Sequence, residues 1–208
     1  MPTLLNQLDQ LCETLLRCQR PVANLLQPGL TESELAGVLG ASTISLPDQA
    51  KQLYQWRNGT RGIDSLPIDE VSLFPSYYFP SLQLALAEFN GWRGLFEANS
   101  SECPWSSNWF PIFMDVGGCF YAIDCESGSQ TCGGIIEYIP DYGGELVFSD
   151  LSRMVISLIE CYRHGAYHVT SHGRLTSNDK ECLRLFKRLN PEILAWSRRL
   201  SELESSGR

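Results

Sequence analysis

Three histidines are the residues best spaced to hold a metal ion, because His164, His168 and His172 recur at every fourth position. On one continuous helix, this spacing would place three imidazoles on one face, where they could ligate zinc. Gly165, however, favours the end of the preceding helix, and Val169 favours extended backbone. The sequence therefore predicts surface histidines beside a helix end and no metal site.

Eight cysteines could act as nucleophiles, metal ligands or disulfide partners. They contain no CxxC pair, and their spacings match no zinc module. The chain opens without a basic, apolar leader, and no apolar run reaches the roughly 18 residues of a transmembrane helix. We therefore expect a cytoplasmic protein that does not bind membranes, with cysteines that are reduced and structural.

Sequence motifs for catalysis and cofactor binding are missing. The chain has no GxxxxGKS/T or GxGxxG phosphate loop, no GxSxG elbow, no HExxH pair and no EF-hand loop. Paired carboxylates do occur, and they are Asp69 with Glu70, Asp115 with Asp124 across a hairpin, Asp124 with Glu126, and Asp141 with Glu145. Acid–base catalysis would need two carboxyls whose pKa values differ inside a cleft, which sequence spacing does not reveal. The sequence thus favours a protein that is not an enzyme and has no cofactor.

Acidic residues are concentrated in the middle of the chain. Over all 208 residues, 24 acids outnumber 16 bases and give a net charge of −8. Residues 60–160 carry fourteen acids and three bases, a net charge of −11, whereas residues 1–59 carry −1 and residues 161–208 carry +4. This excess of acids disfavours nucleic acid as a partner and favours a basic protein. Solubility alone would also explain the excess of acids.

Helical spacing of apolar residues, together with capping signals, predicts seven helices. Thr31 and Glu34 form a capping box, and Ser149 and Asn190 are the expected caps of two later helices. The Asn-Gly pair that ends at Gly59 should supply left-handed backbone after the third helix. The predicted helices cover residues 4–19, 31–39, 46–57, 82–89, 149–165, 179–189 and 191–203.

Residues 109–139 give the clearest sheet signal. Three apolar segments, separated by turn residues, predict an antiparallel meander whose first two strands are apolar on both faces. Residues 60–80 contain three prolines and alternate loosely, as expected of a loop and an irregular strand near a sheet edge. Helices, then a meander, then helices indicate an α+β fold with a mostly antiparallel sheet packed by helices.

The order of these motifs resembles the SUKH superfamily, which contains fungal cell-wall-assembly regulators of the Smi/Knr type and many bacterial proteins. The matching segments are Ser45-Leu46-Pro47-Asp48, Asn58-Gly59, Trp109-Phe110-Pro111-Ile112, Tyr121-Ala122-Ile123-Asp124, Gly134-Ile135-Ile136 and Phe148-Ser149-Asp150-Leu151. We therefore expect an N-terminal helical extension over residues 1–29, a SUKH-like domain over residues 30–165, and a C-terminal helical extension over residues 166–208 packed on the core.

The resemblance implies a non-catalytic protein-binding domain. In bacteria it implies an immunity protein that neutralises a toxin, often a nuclease or a deaminase; in fungi it implies a regulatory scaffold. Nucleases have basic substrate surfaces, so the acidic middle of the chain favours the immunity interpretation. The scaffold without a toxin partner remains the alternative, and an unrecognised enzyme or metal protein is a third. Because binding residues concentrate in loops, the expected partner-binding residues are Asp64, Asp69, Glu70, Glu126, Asp141 and Glu145.

Overall fold

The computed structural model describes residues 2–40, 42–98 and 105–207. Within these ranges the chain forms eight α-helices. They are α1 (Leu4–Arg17), α2 (Glu32–Leu39), α3 (Asp48–Trp56), α4 (Ile68–Val71), α5 (Leu82–Ala98), α6 (Leu151–Arg163), α7 (Asp179–Leu189) and α8 (Leu194–Ser205).

The strands form one large sheet and two short two-stranded sheets. β1 (Leu26–Pro28) pairs with β2 (Arg57–Thr60), and β9 (Tyr167–Val169) pairs with β10 (Leu175–Ser177). The large sheet is antiparallel, with six strands in chain order. They are β3 (Ser72–Phe74), β4 (Tyr77–Tyr78), β5 (Trp109–Met114), β6 (Phe120–Asp124), β7 (Ile135–Ile139) and β8 (Gly143–Phe148).

The predicted α+β class is confirmed, and β5, β6 and β7 are the predicted meander. The irregular segment before residue 80 supplies the edge strand β3 and its neighbour β4, as its prolines indicated. The second edge strand, β8, was not predicted, because Gly143 and Gly144 at its start have low strand propensity. Pairing with β7 overrides this local preference, and Ile136 faces Leu146 in the ladder.

Side-chain caps mark the first turns of α1, α2, α6 and α7. The capping box is confirmed, since the Glu34 amide donates to Thr31 Oγ1 at 3.2 Å and the Thr31 amide donates to Glu34 Oε2 at 2.8 Å. The predicted Ser149 cap is wrong by one residue, because Asp150 Oδ1 accepts from the Arg153 amide. The cap predicted at Asn190 is also wrong. The side chain of Asn190 is buried and donates back to the Phe186 carbonyl, so α8 begins only at Leu194.

Both faces of the sheet are buried, as the apolar strands predicted. Along β6, Tyr121 and Ile123 lie in the main hydrophobic core, whereas Phe120 and Ala122 lie in a second cluster. Because successive side chains of a strand point to opposite faces, the two clusters cover opposite sides of the sheet. The main core also takes in apolar side chains of α1, α6, α7 and α8, including Leu8, Leu15, Met154, Phe186 and Trp196.

None of the helices in the described ranges has the length and apolar character needed to cross a membrane.

Candidate protein-binding surface

The six acids predicted to bind a partner do not all share one surface. Glu126 lies in the loop between β6 and β7, and Asp141 lies in the turn between β7 and β8. These loops are at opposite ends of the five-residue strand β7, which spans roughly 16 Å. Glu145 lies within edge strand β8, while Asp64, Asp69 and Glu70 lie before the other edge strand, β3. Of the six, Asp64, Glu126 and Asp141 are exposed.

Asp69 has an intramolecular role. Its Oδ1 accepts a hydrogen bond of 2.9 Å from the Leu175 amide, and its carbonyl oxygen accepts one from the Arg20 guanidinium. Leu175 begins strand β10, so this carboxylate links the segment after α6 to helix α4, which precedes β3. Sequence spacing could not show this contact, because the two residues are 106 positions apart.

Glu145 is bound by two arginines of helix α8. Arg198 Nη2 lies 2.7 Å from both carboxylate oxygens, and Arg199 Nη2 lies 2.8 Å from Oε2. Arg199 also pairs with Glu137, a buried residue of β7. Glu137 Oε1 accepts a hydrogen bond of 2.7 Å from the Tyr121 hydroxyl. We call Glu137, Glu145, Arg198 and Arg199 the arginine clamp. Part of the basic charge of the C-terminal segment therefore neutralises acids of the sheet.

The arginine clamp changes the ionisation of Glu145. Partial burial by itself raises the pKa of this carboxyl, but the hydrogen bonds from Arg198 and Arg199 outweigh it and hold the pKa below its ordinary value of 4.5. A carboxylate with a lowered pKa in the folded state stabilises the protein above the unfolded value. That contribution is lost as the pH falls through the folded pKa.

Replacing Glu145 with glutamine should therefore destabilise the protein by about 1 kcal/mol at neutral pH, the upper range for partly exposed ion pairs. The difference from the wild type should shrink as the pH falls below 4.5, where Glu145 becomes protonated in the unfolded state, and should vanish below the lowered pKa of the folded state. Urea unfolding of both proteins between pH 3 and pH 7 measures this difference. A gap that stays constant across the range would show that the clamp does not form in solution.

A groove of about 910 Å³ lies beside the arginine clamp. Its sheet side is formed by Phe74, Tyr77 and Tyr121, and its helical side includes Leu183 of α7 and Leu203 of α8. Burial raises the pKa of both tyrosines above the ordinary value of 10, so their hydroxyls stay neutral at physiological pH. Glu137, which also lines the groove, is already bound by Arg199 and Tyr121. The groove therefore offers aromatic surface and neutral hydrogen-bonding groups.

A different group of carboxylates lies within electrostatic reach of Tyr78, a residue of the second hydrophobic cluster. Burial raises the pKa of Tyr78 to about 12, and the nearby charges of Glu88, Asp115 and Asp64 contribute further. We call these three residues the acidic cluster. None of them forms an ion pair with any residue whose position the structure describes. Their charge is therefore available to a partner.

Sequence reasoning found Asp64 but missed Glu88 and Asp115 as candidate site residues. Glu88 lies on α5, and Asp115 lies in the turn between β5 and β6. They are separated from Asp64 by 24 and 51 positions, and only the folded chain brings all three within electrostatic reach of Tyr78. The position of Asp115 in a predicted turn was the one available signal, since exposed turns often carry binding residues.

The histidines and cysteines do not form a metal site in the described part of the chain. His164 follows α6, His168 lies in β9, and His172 lies in the turn after it, so they do not share a helix. No group of three histidine, cysteine, aspartate or glutamate side chains is close enough there to hold a metal ion. The seven described cysteines are free thiols, and Cys103 lies outside the described residues.

Comparison with known proteins identifies the family. The model of the SMI1 / KNR4 family (SUKH-1) matches residues 29–157. No curated protein matches the chain. The matched segment begins just after β1 and ends within α6, so it contains the whole six-stranded sheet and all three residues of the acidic cluster. Helix α8, with Arg198 and Arg199, lies beyond it.

Members of this family commonly bind partner proteins, and membership fits a non-catalytic immunity or regulatory domain. The motif order, the six-stranded antiparallel sheet and the matched segment agree, and the chain belongs to the SMI1 / KNR4 family (SUKH-1).

Proposed function

We propose that the chain is an immunity protein that acts in the cytoplasm, where it binds a basic toxin such as a nuclease and neutralises it without catalysis. The observation that carries the proposal is the acidic cluster, whose three carboxylates have no cationic partner among the described residues. From Gly94 to Ser152, the sequence also contains no lysine or arginine. Strands β5 to β8 and the turns between them therefore supply no basic residue of their own, and the arginines of α8 pair only with Glu137 and Glu145 among the acids of this sheet.

The six acids predicted from the sequence contribute unequally under this proposal. Asp64 and Asp141 are exposed and would contact the partner directly, while Glu70 and Glu126 would add to the attraction from the periphery. Asp69 and Glu145 would act indirectly, because their carboxylates hold the C-terminal segment in place. Acidic groups of this kind raise the association rate with a basic protein, and salt reduces their effect.

The test uses the protein encoded by the adjacent open reading frame, purified as its isolated toxin domain. For the wild-type chain, we expect 1:1 binding with an association rate that falls at least about tenfold between low and high salt. The variant Asp64→Asn/Asp141→Asn should associate about three- to tenfold more slowly at low salt, with little change in dissociation. Asparagine suits position 141, whose φ of 68° lies in the left-handed region.

The matched control is Glu13→Gln/Glu192→Gln, which removes the same charge from two exposed acids outside the matched segment. Stopped-flow measurement of the association rate should show a much smaller effect for this variant. If the wild-type chain does not bind the neighbouring protein, or binds it at a rate insensitive to salt, the proposal is wrong.

A regulatory scaffold is the second candidate function, and the groove beside the arginine clamp favours it. One wall of this groove is formed by α7 and α8, which lie outside the matched segment. A scaffold that binds its partner through the groove would bind equally well after Asp64→Asn/Asp141→Asn substitution. The same kinetic experiment therefore separates the two functions.

A further inference from the structure

Two large apolar side chains project from adjoining turns at one end of the sheet. Val116, in the turn between β5 and β6, is 82% exposed, and Tyr142, in the turn between β7 and β8, is 89% exposed. The turns touch each other, since a methyl group added at Gly118 would lie 3.7 Å from Pro140 Cγ. We call Val116 and Tyr142 the sheet tip. An exposed apolar pair of this kind gains nothing for the fold of the chain itself.

The backbone on both sides of the sheet tip is held in a defined conformation. Asp115 Oδ1 accepts hydrogen bonds from the amides of Gly117 and Cys119, at 2.8 and 2.7 Å. In the second turn, the Tyr142 amide donates to the Ile139 carbonyl at 3.1 Å, and Asp141 has a left-handed φ of 68°. Because these turns are already ordered in the free chain, little conformational entropy would be lost when the chain binds a partner.

The charges beside the sheet tip indicate the chemistry of its partner. Asp115 precedes Val116 and Asp141 precedes Tyr142, and Asp64 of the acidic cluster lies near the same end of the sheet. No lysine or arginine lies in either turn. A surface with an apolar centre and an acidic rim is complementary to an apolar depression surrounded by lysine and arginine. Two copies of the chain would bring like charges together, so self-association at this point is disfavoured.

We propose that Val116 and Tyr142 are the apolar anchor through which the chain holds its basic protein partner. This inference rests on the proposed function and adds to it the residues that determine how long the complex lasts. Tyrosine is enriched among the residues that dominate binding energy, and such residues lie centrally within a rim that excludes water. The carboxylates would set the rate of association, and the sheet tip would set the rate of dissociation.

The test compares Val116→Ala/Tyr142→Ala with the wild-type chain, using the toxin domain of the adjacent open reading frame as the probe. We expect the variant to bind about 30-fold more weakly or worse, almost entirely through faster dissociation. Its melting temperature should equal that of the wild type, because both side chains are exposed. Tyr142→Phe should bind within a few-fold of the wild type, since it keeps the apolar ring.

The control is Val169→Ala/Leu194→Ala, which truncates two exposed apolar side chains of β9 and α8, 44% and 79% exposed, and should leave binding unchanged. If the wild-type chain binds but Val116→Ala/Tyr142→Ala binds equally tightly, the inference is wrong while the proposed function stands. If the wild-type chain does not bind the toxin domain, both are wrong. A wild-type homodimer that becomes monomeric in the variant would assign the sheet tip to a second copy and overturn the inference.

Discussion

Replacing Trp196 with alanine should lower the free energy of unfolding by about 3–5 kcal/mol, the range for removing a buried aromatic side chain. The indole of Trp196 is 2% exposed, and its ring lies 4.7 Å from that of Phe186 and 5.3 Å from that of Phe148. The Arg199 guanidinium stacks on it at 5.1 Å. Truncation would leave a cavity where α7 and α8 meet β8 and would loosen the arginine clamp.

Urea unfolding measures this loss, and Leu194→Ala in the same helix is the control. Leu194 is 79% exposed, so its truncation should change the free energy of unfolding by less than about 0.5 kcal/mol. A loss below about 1 kcal/mol for Trp196→Ala would show that α8 does not pack on the sheet in solution. The same packing means that deleting α7 and α8 would uncover Phe148, so a truncated chain is a poor reagent for testing binding.

The fold was largely predictable because its main signals are local. The Thr31 capping box and the strands around Phe120 depend on residues within a few positions of one another, and the structure contains both. Strand β8 was missed because Gly143 and Gly144 carry no strand signal of their own. A segment without strand signals is predicted to be a loop, and this is why Glu145 is expected among the loop acids.

The candidate site was less predictable because its contacts join distant parts of the chain. Arg198 meets Glu145 across 53 positions, and no spacing rule identifies such a pair. Net charge located the acidic region but could not distinguish Glu137, which is buried and bound by Arg199, from Asp115, which has no ion pair in the described ranges. The proposed divisions at residues 29/30 and 165/166 stay predictions.

Replacing Gly59 with alanine should destabilise the protein by about 3–5 kcal/mol, a loss expected only when a specific contact is broken. Gly59 has a φ of 81°, in the left-handed region that the Asn-Gly pair predicted. A methyl group there would also lie 2.6 Å from the carbonyl carbon of Pro80 and against the Ser81 amide. The left-handed backbone alone destabilises alanine by about 1–2 kcal/mol. The clash with Pro80 and Ser81 adds to this loss, because backbone atoms have little room to move.

Gly173→Ala separates the two effects. Gly173 has nearly the same φ, 80°, but no atom lies within 4 Å of the added methyl group, so this variant should lose only about 1–2 kcal/mol. Thermal and urea unfolding of both variants measures the difference, and equal losses would mean that β2 does not pack against residues 80–81.

Next to Gly59, Asn58 Oδ1 accepts a hydrogen bond of 2.9 Å from the Leu82 amide at the start of α5. Because α5 carries Glu88, Gly59→Ala should also disturb the acidic cluster and slow association with a basic partner, whereas Gly173→Ala should not.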